Sequence, residues 1–323
     1  MKTEIRPLWK DILAAIWLGM VLPGIILQAC VLVQRRMPES QQDTQPEKES
    51  AARCISLLRS ADGSYDALEI NQYLTGVVLA EMPASFEEEA LKAQSVAART
   101  YSMKACINGG KHGDGSLCDS PDCCQGYIAE ETYLARGGTQ ESLDKVRKAV
   151  AETAPLVLAF EGELIEAVYF SCSGGKTESA LAVWGADFPY LQSVESPGED
   201  ASAYKSKTQV ITVEEFQNLL DLQLTDESVK WFSNVTYTDG GGVERINIAG
   251  REFTGVQLRE ILKLPSTAFS LTTDGERITV VTRGYGHRVG LSQYGADSMA
   301  KSGSMFPEIL AHYYPGTTLI PME

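Results

Sequence analysis

The chain has 323 residues, of which 44% are hydrophobic and 22% are charged. This composition is typical of a globular protein with one large or two modest domains. The formal net charge of −15 argues against a nucleic-acid-binding protein and against attraction to anionic membrane surfaces. Seven cysteines are too few for a disulfide-based scaffold of this size.

The N-terminal segment has the composition of a membrane anchor. Residues 12–33 contain no charged side chain, and the run is long enough to cross a bilayer. Basic residues flank the run, and their distribution favours a cytoplasmic N-terminus with the rest of the chain exported. Lipidation at Cys30 is the alternative interpretation. The predicted segments are a cytoplasmic N-terminus over 1–11, a transmembrane helix over 12–34, a flexible polar linker over 35–52 and a folded extracytoplasmic domain over 53–323.

The first predicted helix of the folded domain is amphipathic and ends at a carboxylate. Ile70, Leu74 and Val77 recur at helical spacing, and Glu81 continues the same apolar stripe. Because Pro83 prevents the helix from continuing, Glu81 is predicted to lie in its last turn. Partial desolvation and the negative helix end should both raise the pKa of Glu81. Such a carboxyl group can act as a general acid, and a solvated helix-end glutamate is the alternative.

A second helix is predicted to follow directly. Ser85 and Glu88 have the spacing of a capping box, and several alanines further along would allow close packing against a neighbour. Arg99 and Tyr101 lie near its far end. The arginine is a candidate to orient Glu81 or a sugar, with a solvated helix-end position as the alternative.

Cysteines and a histidine are concentrated in the glycine-rich segment 106–127, which is predicted to be a loop. His112, Cys118, Cys123 and Cys124 provide four borderline or soft ligands, which suits zinc in a closed tetrahedral site. A disulfide from Cys118 to Cys123 or Cys124 is the alternative, because an exported domain meets an oxidising environment.

Helical and β patterns alternate through the rest of the chain, which predicts an α+β fold. The predicted helices are 142–153, 213–222, 254–262 and 306–314. The predicted strands are 156–160, 164–171, 234–237, 244–248 and 278–282.

Two glycine-rich segments are predicted to line a ligand-binding groove. Residues 172–177 form a tight turn in which Ser173 is a candidate hydroxyl donor. Residues 284–296, GYGHRVGLSQYGA, combine glycines with rings and amide groups that suit sugar recognition, including Tyr285, His287, Gln293 and Tyr294.

The motif over 284–296, followed by ILAHYYPGT, strongly resembles the stage II sporulation protein D family, which also includes cell-wall amidase enhancers. The resemblance extends to YLTGVVLAEMP, ALKAQSVAARTY and SGGKT, and so covers nearly all of residues 55–320. It implies a two-lobed α+β domain around a glycan-binding groove, with Glu81 at the family's catalytic position. It also places Arg99, Lys176, Gln293 and Tyr294 in groove-lining motifs. The further candidates for substrate binding are Tyr101, Ser173, Tyr285 and His287.

The activity implied by the resemblance is that of a peptidoglycan lytic transglycosylase acting in forespore engulfment. Such enzymes cleave the β-1,4 bond between N-acetylmuramic acid and N-acetylglucosamine, with one acidic residue and an anhydro product. The expected substrate is a glycan strand stripped of stem peptides, and the expected partners are stage II sporulation proteins P, an amidase, and M. The expected location is the cell membrane, with the catalytic domain facing the intermembrane space around the forespore.

The resemblance also bears on the cysteine cluster, since some members of the sporulation branch bind zinc through a Cys/His loop in this place. His112, Cys118 and Cys124 match that pattern, whereas Cys123 stands where histidine is expected, and zinc is favoured over a disulfide. Arg288 departs from the family pattern, which has glycine there, and is a candidate cationic contact with the glycan. Two other functions stay open. One is a non-catalytic glycan-binding activator of an amidase. The other is a retaining hydrolase, which would need a second carboxylate such as Asp187 or Asp297.

Overall fold

Residues 54–224 and 231–322 are described by the computed structural model. The helices are α1 (Ile70–Glu81), α2 (Glu88–Ile107), α3 (Glu130–Ala135), α4 (Gln140–Glu152), α5 (Ala180–Trp184), α6 (Val213–Leu220), α7 (Gly255–Ile261), α8 (Gln293–Lys301) and α9 (Phe306–Tyr313). The strands are β1 (Cys54–Leu58), β2 (Tyr65–Glu69), β3 (Leu117–Cys118), β4 (Leu156–Phe160), β5 (Glu163–Leu164), β6 (Tyr169–Phe170), β7 (Lys207–Thr212), β8 (Phe232–Tyr237), β9 (Val243–Ile248), β10 (Arg251–Thr254), β11 (Phe269–Thr273), β12 (Arg277–Thr282), β13 (Leu291–Ser292) and β14 (Thr318–Pro321). This mixture of helices and sheets confirms the predicted α+β class.

The described ranges contain no helix of the length and apolar character needed to cross a bilayer. The predicted anchor over 12–34, the linker over 35–52 and Cys30 lie outside the described residues.

Helix α2 lies at the centre of the larger of two hydrophobic cores. Its alanines Ala90, Ala93, Ala97 and Ala98 are completely buried. Helices α1, α4, α8 and α9 and strand β4 all pack against it. Small side chains let several neighbours approach one helix, so the close packing predicted from the alanines is confirmed.

The second core belongs to residues 207–282, which we call the small lobe; the rest of the described chain is the large lobe. The small lobe contains the antiparallel sheets β10-β9-β8 and β11-β12-β7 with helices α6 and α7. The large lobe contains the sheets β2-β1-β3, β14-β4-β5 and β13-β6. Its pairs β1–β3 and β13–β6 are parallel and join segments that are distant in sequence.

Helix α1 spans Ile70–Glu81 and ends immediately before Met82 and Pro83, as predicted. The capping box predicted at Ser85 is wrong, because α2 begins at Glu88 and its N-cap is Glu87. The N-terminus of α2 is instead fixed by a contact with α8, in which the Glu87 N–H donates to Asp297 at 2.8 Å.

Other predicted boundaries needed smaller corrections. Helix α6 ends at Leu220, before the predicted 222, because Asp221 adopts a left-handed conformation with φ of 49°. The predicted strand 164–171 is interrupted and forms β5 and β6. The predicted loop 106–127 contains the last turn of α2 and strand β3, whose Leu117 is fully buried. Tertiary pairing of β3 with β1 therefore imposes a strand that no local pattern marks.

Candidate active site

A cavity with a volume of about 880 Å³ is lined by residues of both lobes, and we call it the groove. The large lobe contributes Glu81, Tyr101, Lys111, residues 121–125, 168–171 and 285–287, Trp184, Tyr204 and Gln293. The small lobe contributes Lys207, Arg259, Lys263, Leu264 and Pro265.

Glu81 is the last residue of α1, and its partly buried side chain faces the groove. Its Oε1 accepts a hydrogen bond of 2.6 Å from the Gly126 N–H. Burial raises the pKa of Glu81, and the Gly126 N–H opposes this shift only in part. Within the described ranges Glu81 forms no ion pair that would hold it ionised. Desolvation therefore accounts for the predicted direction of the shift, and no contribution from the helix end is needed.

The close approach of Gly126 to Glu81 depends on the absence of a side chain. A Cβ at residue 126 would lie 3.0 Å from the Glu81 carboxylate oxygen. Gly126 lies two residues after Cys124, so the cysteine-rich segment delivers the one hydrogen-bond donor that Glu81 receives.

Gln125 and Tyr169 form a buried polar network next to Glu81. The Tyr169 hydroxyl donates to Gln125 Oε1 at 2.8 Å, and Gln125 Nε2 donates to Ser102 Oγ at 2.7 Å and to the Tyr73 hydroxyl at 3.1 Å. Burial raises the pKa of Tyr169 well above its usual range, and the charge of nearby Glu81 adds to the shift. The phenol therefore stays a neutral donor that fixes the wall beside Glu81.

The C-terminal motif supplies the opposite part of the large-lobe wall. Tyr285 is 44% exposed and packs against Tyr204, with ring centroids 4.2 Å apart. The His287 ring lies 5.2 Å from the ring of Trp184, which is itself 46% exposed. Together these rings form an aromatic surface of the kind that binds the apolar faces of sugars.

His287 is held as a neutral imidazole. Burial, followed by the charge of Arg259, lowers its pKa to about 4. The Val289 N–H donates to His287 Nδ1 at 3.1 Å, so the proton of the neutral ring lies on Nε2. A hydrogen bond to the Tyr169 backbone opposes this shift only in part, so His287 forms an uncharged part of the wall.

At one edge of the groove, His112, Cys118, Cys123 and Cys124 bring their ligand atoms within 4.8 Å of one another. The Sγ atoms of Cys123 and Cys124 are 3.9 Å apart, and they lie 3.9 and 3.7 Å from His112 Nε2. Bond lengths of about 2.3 Å to sulfur and about 2.0 Å to nitrogen put tetrahedral zinc ligands roughly 3.5–3.8 Å apart. The donor set and its spacing therefore fit zinc.

A family model described as SpoIID: Stage II sporulation protein matches residues 61–160. The chain is 38% identical over 270 residues to stage II sporulation protein D of Bacillus subtilis (strain 168), which covers 82% of this chain and 78% of the relative. It is 35% identical over 280 residues to the protein of that name from Bacillus amyloliquefaciens, which covers 85% of this chain and 81% of the relative. The chain belongs to the stage II sporulation protein D family. An amidase enhancer of B. subtilis is 30% identical over 308 residues, covering 76% of this chain and 40% of that protein.

The structure of this chain brings only some of the predicted site residues together. Glu81, Tyr101, Tyr285, His287 and Gln293 all line the groove. Tyr294, the neighbour of Gln293, turns away from it and packs edge-on against Phe86, with ring centroids 5.0 Å apart. Tyr294 was predicted to contact the glycan, but in the structure its ring packs against Phe86 and does not line the groove.

Arg99 is also corrected, because it is only 1% exposed and does not line the groove. Its guanidinium donates to the carbonyl oxygens of Val150, Thr153 and Leu156 at 2.9, 3.0 and 3.2 Å. Helix α4 ends at this point, where carbonyls lack partners within the helix. Arg99 therefore joins α2 to the end of α4 and contacts neither Glu81 nor a sugar.

Ser173 and Arg288 are buried beneath the groove wall and do not face a glycan. Ser173 Oγ accepts from the Gly175 N–H at 2.9 Å, and its carbonyl accepts from Arg288 Nε at 2.7 Å. Arg288 forms an ion pair of 3.1 Å with Glu178, and both side chains are at most 2% exposed. The predicted cationic contact of Arg288 with the glycan is therefore wrong, since its charge is neutralised inside the protein.

Lys176 lies at a separate cavity of about 290 Å³, where it pairs with Asp239 at 3.1 Å and Glu195 at 3.8 Å. Asp187 and Asp297, the candidate second carboxylates of a hydrolase, do not line the groove either. Within the described ranges the carboxylates of the groove wall are Glu81 and Asp122.

Several wall residues were missed by sequence reasoning. Tyr169 lies in a two-residue strand and Arg259 in an amphipathic helix, where local patterns mark neither as a site residue. They line the same cavity as Glu81 because β6 pairs with β13 and the small lobe forms part of the groove wall. Trp184 could have been identified most easily, because it is a large aromatic residue at the end of a short helix, and it is exposed in the structure.

Proposed function

We propose that this protein is a lytic transglycosylase that cleaves the β-1,4 bond between N-acetylmuramic acid and N-acetylglucosamine in peptidoglycan. The observation that supports the proposal most directly is Glu81, a partly buried carboxyl group with a raised pKa at the groove wall. A carboxyl group with these properties can keep its proton until a leaving group needs it.

In the proposed reaction Glu81 donates its proton to the glycosidic oxygen as the bond from that oxygen to C1 of the muramic acid breaks. The Glu81 carboxylate then accepts the proton of the 6-hydroxyl of the same sugar, whose oxygen bonds to C1. The products are a 1,6-anhydro end and a free 4-hydroxyl, and Glu81 is again protonated. One carboxyl group serves both steps, which agrees with a wall that carries few carboxylates.

Other wall residues would bind and orient the strand. The exposed rings of Tyr285 and Trp184 suit stacking on sugar faces. The Gln293 amide suits hydrogen bonds to hydroxyl and acetamido groups, and the uncharged His287 ring adds to the aromatic surface. The Gly126 N–H would hold Glu81 in a fixed orientation throughout.

The proposed setting is forespore engulfment, which is consistent with membership of a sporulation family. We propose that residues 12–34 anchor the chain in the cell membrane with the catalytic domain in the intermembrane space. The proposed substrate is a strand stripped of stem peptides, and the proposed partners are the amidase stage II sporulation protein P and stage II sporulation protein M. Similarity to an amidase enhancer supports a cell-wall role.

The test of catalysis is the substitution Glu81→Gln in the folded domain, assayed on purified denuded glycan strands. Loss of the general acid should lower the rate of anhydro-muropeptide release about 100- to 10,000-fold, measured by mass spectrometry. The control Glu163→Gln removes an exposed carboxylate outside the groove and should leave the rate unchanged.

The same assay separates the alternatives. Undiminished anhydro products from Glu81→Gln would show that Glu81 is not the acid. Reducing ends in place of anhydro ends would indicate a hydrolase. Glycan binding without any cleavage by the wild-type protein would favour a non-catalytic activator of an amidase, which similarity to an amidase enhancer makes the second candidate.

We further propose that His112, Cys118, Cys123 and Cys124 hold a structural zinc ion, with four protein ligands and therefore no open position for catalysis. Cys118→Ser should reduce the zinc content from about one ion per chain to near zero, measured by metal analysis of the purified domain. The exposed Cys54→Ser variant is the control and should keep its metal. Unchanged zinc in Cys118→Ser would disprove the site.

A further inference from the structure

The groove has the opposite charge balance to the protein as a whole. The sequence contains 43 acidic and 28 basic residues. The groove wall, in contrast, carries four cationic side chains, Lys111, Lys207, Arg259 and Lys263, against the two carboxylates Glu81 and Asp122. A cationic wall in an acidic protein indicates that the groove binds an anionic group.

Three of these cations belong to the small lobe. Lys207 begins β7, Arg259 lies in the last turn of α7, and Lys263 follows that helix. Within residues 54–224 and 231–322, none of the three forms an ion pair. By contrast Lys205, next to this wall, pairs with Asp200.

Arg259 is the most constrained of the three. It is partly buried, and its charge reaches both Tyr285 and His287 in the large-lobe wall. The charge of the neighbouring Glu260 acts on Arg259, but desolvation outweighs it and lowers the pKa of the guanidinium. An anion that binds in the groove would offset this loss of hydration. The planar guanidinium also matches a carboxylate with two parallel hydrogen bonds.

The glycan strand of the proposed substrate offers one anionic group of this kind. N-acetylglucosamine is neutral, whereas muramic acid carries a 3-O-lactyl group. The lactyl carbonyl is a neutral amide while a stem peptide is attached, and it becomes a carboxylate when the peptide is removed. Charge at this position therefore reports whether a strand has been stripped.

We propose that Arg259, Lys207 and Lys263 form a subsite for the free lactyl carboxylate of muramic acid, across the groove from Glu81. This inference rests on the proposed function, because it takes the same glycan as ligand. In this proposal, the small lobe selects stripped strands by recognising the negative charge of the free lactyl carboxylate. The upstream reaction must then be an amide hydrolysis that releases the peptide and leaves the carboxylate.

The test compares two glycan oligomers that differ only at the lactyl group, one with the carboxylate and one with the primary amide. Binding is measured by calorimetry to Glu81→Gln protein, so that neither ligand is consumed. We expect the carboxylate form to bind about five- to tenfold more tightly, with the difference shrinking at high salt. Adding Arg259→Gln should remove most of the difference, because the carboxylate form should lose several times more affinity than the amide form.

The matched controls also remove one positive charge, but at positions outside the groove wall. Arg245→Gln removes an exposed arginine that pairs with Glu252, and Lys205→Gln removes the lysine two residues from Lys207. Both should preserve the preference for the carboxylate. Lys263 is exposed, so Lys263→Gln tests the subsite even if Arg259→Gln does not fold, with an expected loss of a few-fold.

Equal affinity for the two oligomers would overturn the inference, as would a preference that survives both Arg259→Gln and Lys263→Gln. Tighter binding of a peptide-bearing strand, or of a phosphate-bearing wall polymer, would also overturn it. The same measurements show whether the proposed function fails by itself. If the wild-type protein prefers the carboxylate form but releases no anhydro ends, the subsite is supported and the proposed catalysis is not. If the wild-type protein cleaves both oligomers equally well, the proposed catalysis is supported and the subsite is not.

Discussion

Glu81 and Glu199 are both carboxylates removed from solvent, but their surroundings differ sharply. Glu81 accepts a single hydrogen bond, from the Gly126 N–H. Glu199 lies 5% exposed beneath the two glycine-rich motifs and is surrounded by donors. It accepts from the N–H groups of Ser173 and Gly174, the hydroxyls of Ser196 and Ser292, and the Cys172 thiol.

The two carboxyl groups differ in the number of hydrogen-bond donors that hold them. Five donors make Glu199 part of the architecture, because removing its carboxyl group would leave several buried donors without an acceptor. One donor leaves Glu81 poorly solvated, and its burial therefore raises its pKa. Glu199 is the more deeply buried of the two, and it also accepts the larger number of hydrogen bonds.

Glu199→Gln should cause the larger change in stability. The amide offers one oxygen in place of two and turns its NH₂ group toward the donors of Gly174 or Ser173. We expect the free energy of unfolding to fall by about 2–4 kcal/mol, measured by equilibrium urea denaturation. Ser292 precedes Gln293 of the groove wall, so the variant should also bind glycan less tightly.

The control for this substitution is Glu195→Gln, which changes an exposed carboxylate paired with Lys176 at 3.8 Å. A surface pair of this kind contributes at most about 1 kcal/mol. If Glu199→Gln were as stable as Glu195→Gln, the five hydrogen bonds to Glu199 would make no measurable contribution to the free energy of unfolding.

The part of the site that could be predicted from sequence is the part encoded within a few residues. The apolar spacing before Glu81 and the proline after it predict a carboxyl group at a buried helix end, and the structure has it there. The capping box at Thr254 and Gln257 similarly fixes the start of α7. In both cases, neighbouring residues determine the outcome, so periodicity and capping rules suffice.

Arg99 and Arg288 show why the remainder could not be predicted. A cation in a glycan-binding motif suggests a ligand contact, yet both guanidiniums are buried against protein carbonyls. Their partners are more than 40 residues away in sequence, at the end of α4 and in the turn after β8. Conversely, Arg259 lies in an unremarkable helix and faces the groove. Only the tertiary arrangement determines whether a cation meets carbonyls, a carboxylate or solvent.

The smallest expected effect is an increase in stability on removing the ionisable group of Glu81. Burial raises the pKa of Glu81 in the folded protein above its ordinary value of 4.5, so the folded state holds this proton more strongly than the unfolded chain. Stability from the bound proton is complete below the unfolded pKa and is lost as the pH rises through the folded pKa. Wild-type protein therefore carries an ionisation cost at neutral pH that glutamine avoids.

Glu81→Gln should consequently melt at a higher temperature than wild type at pH 7, and the two should converge below about pH 4.5, measured by calorimetry across this range. The glutamine oxygen can still accept from the Gly126 N–H, so that hydrogen bond does not confound the comparison. Glu163→Gln, at an exposed position, should show no pH-dependent difference. A Glu81→Gln melting temperature that falls below wild type at pH 7 would mean that the ionised carboxylate stabilises the fold, and that Glu81 lacks the desolvation a general acid requires.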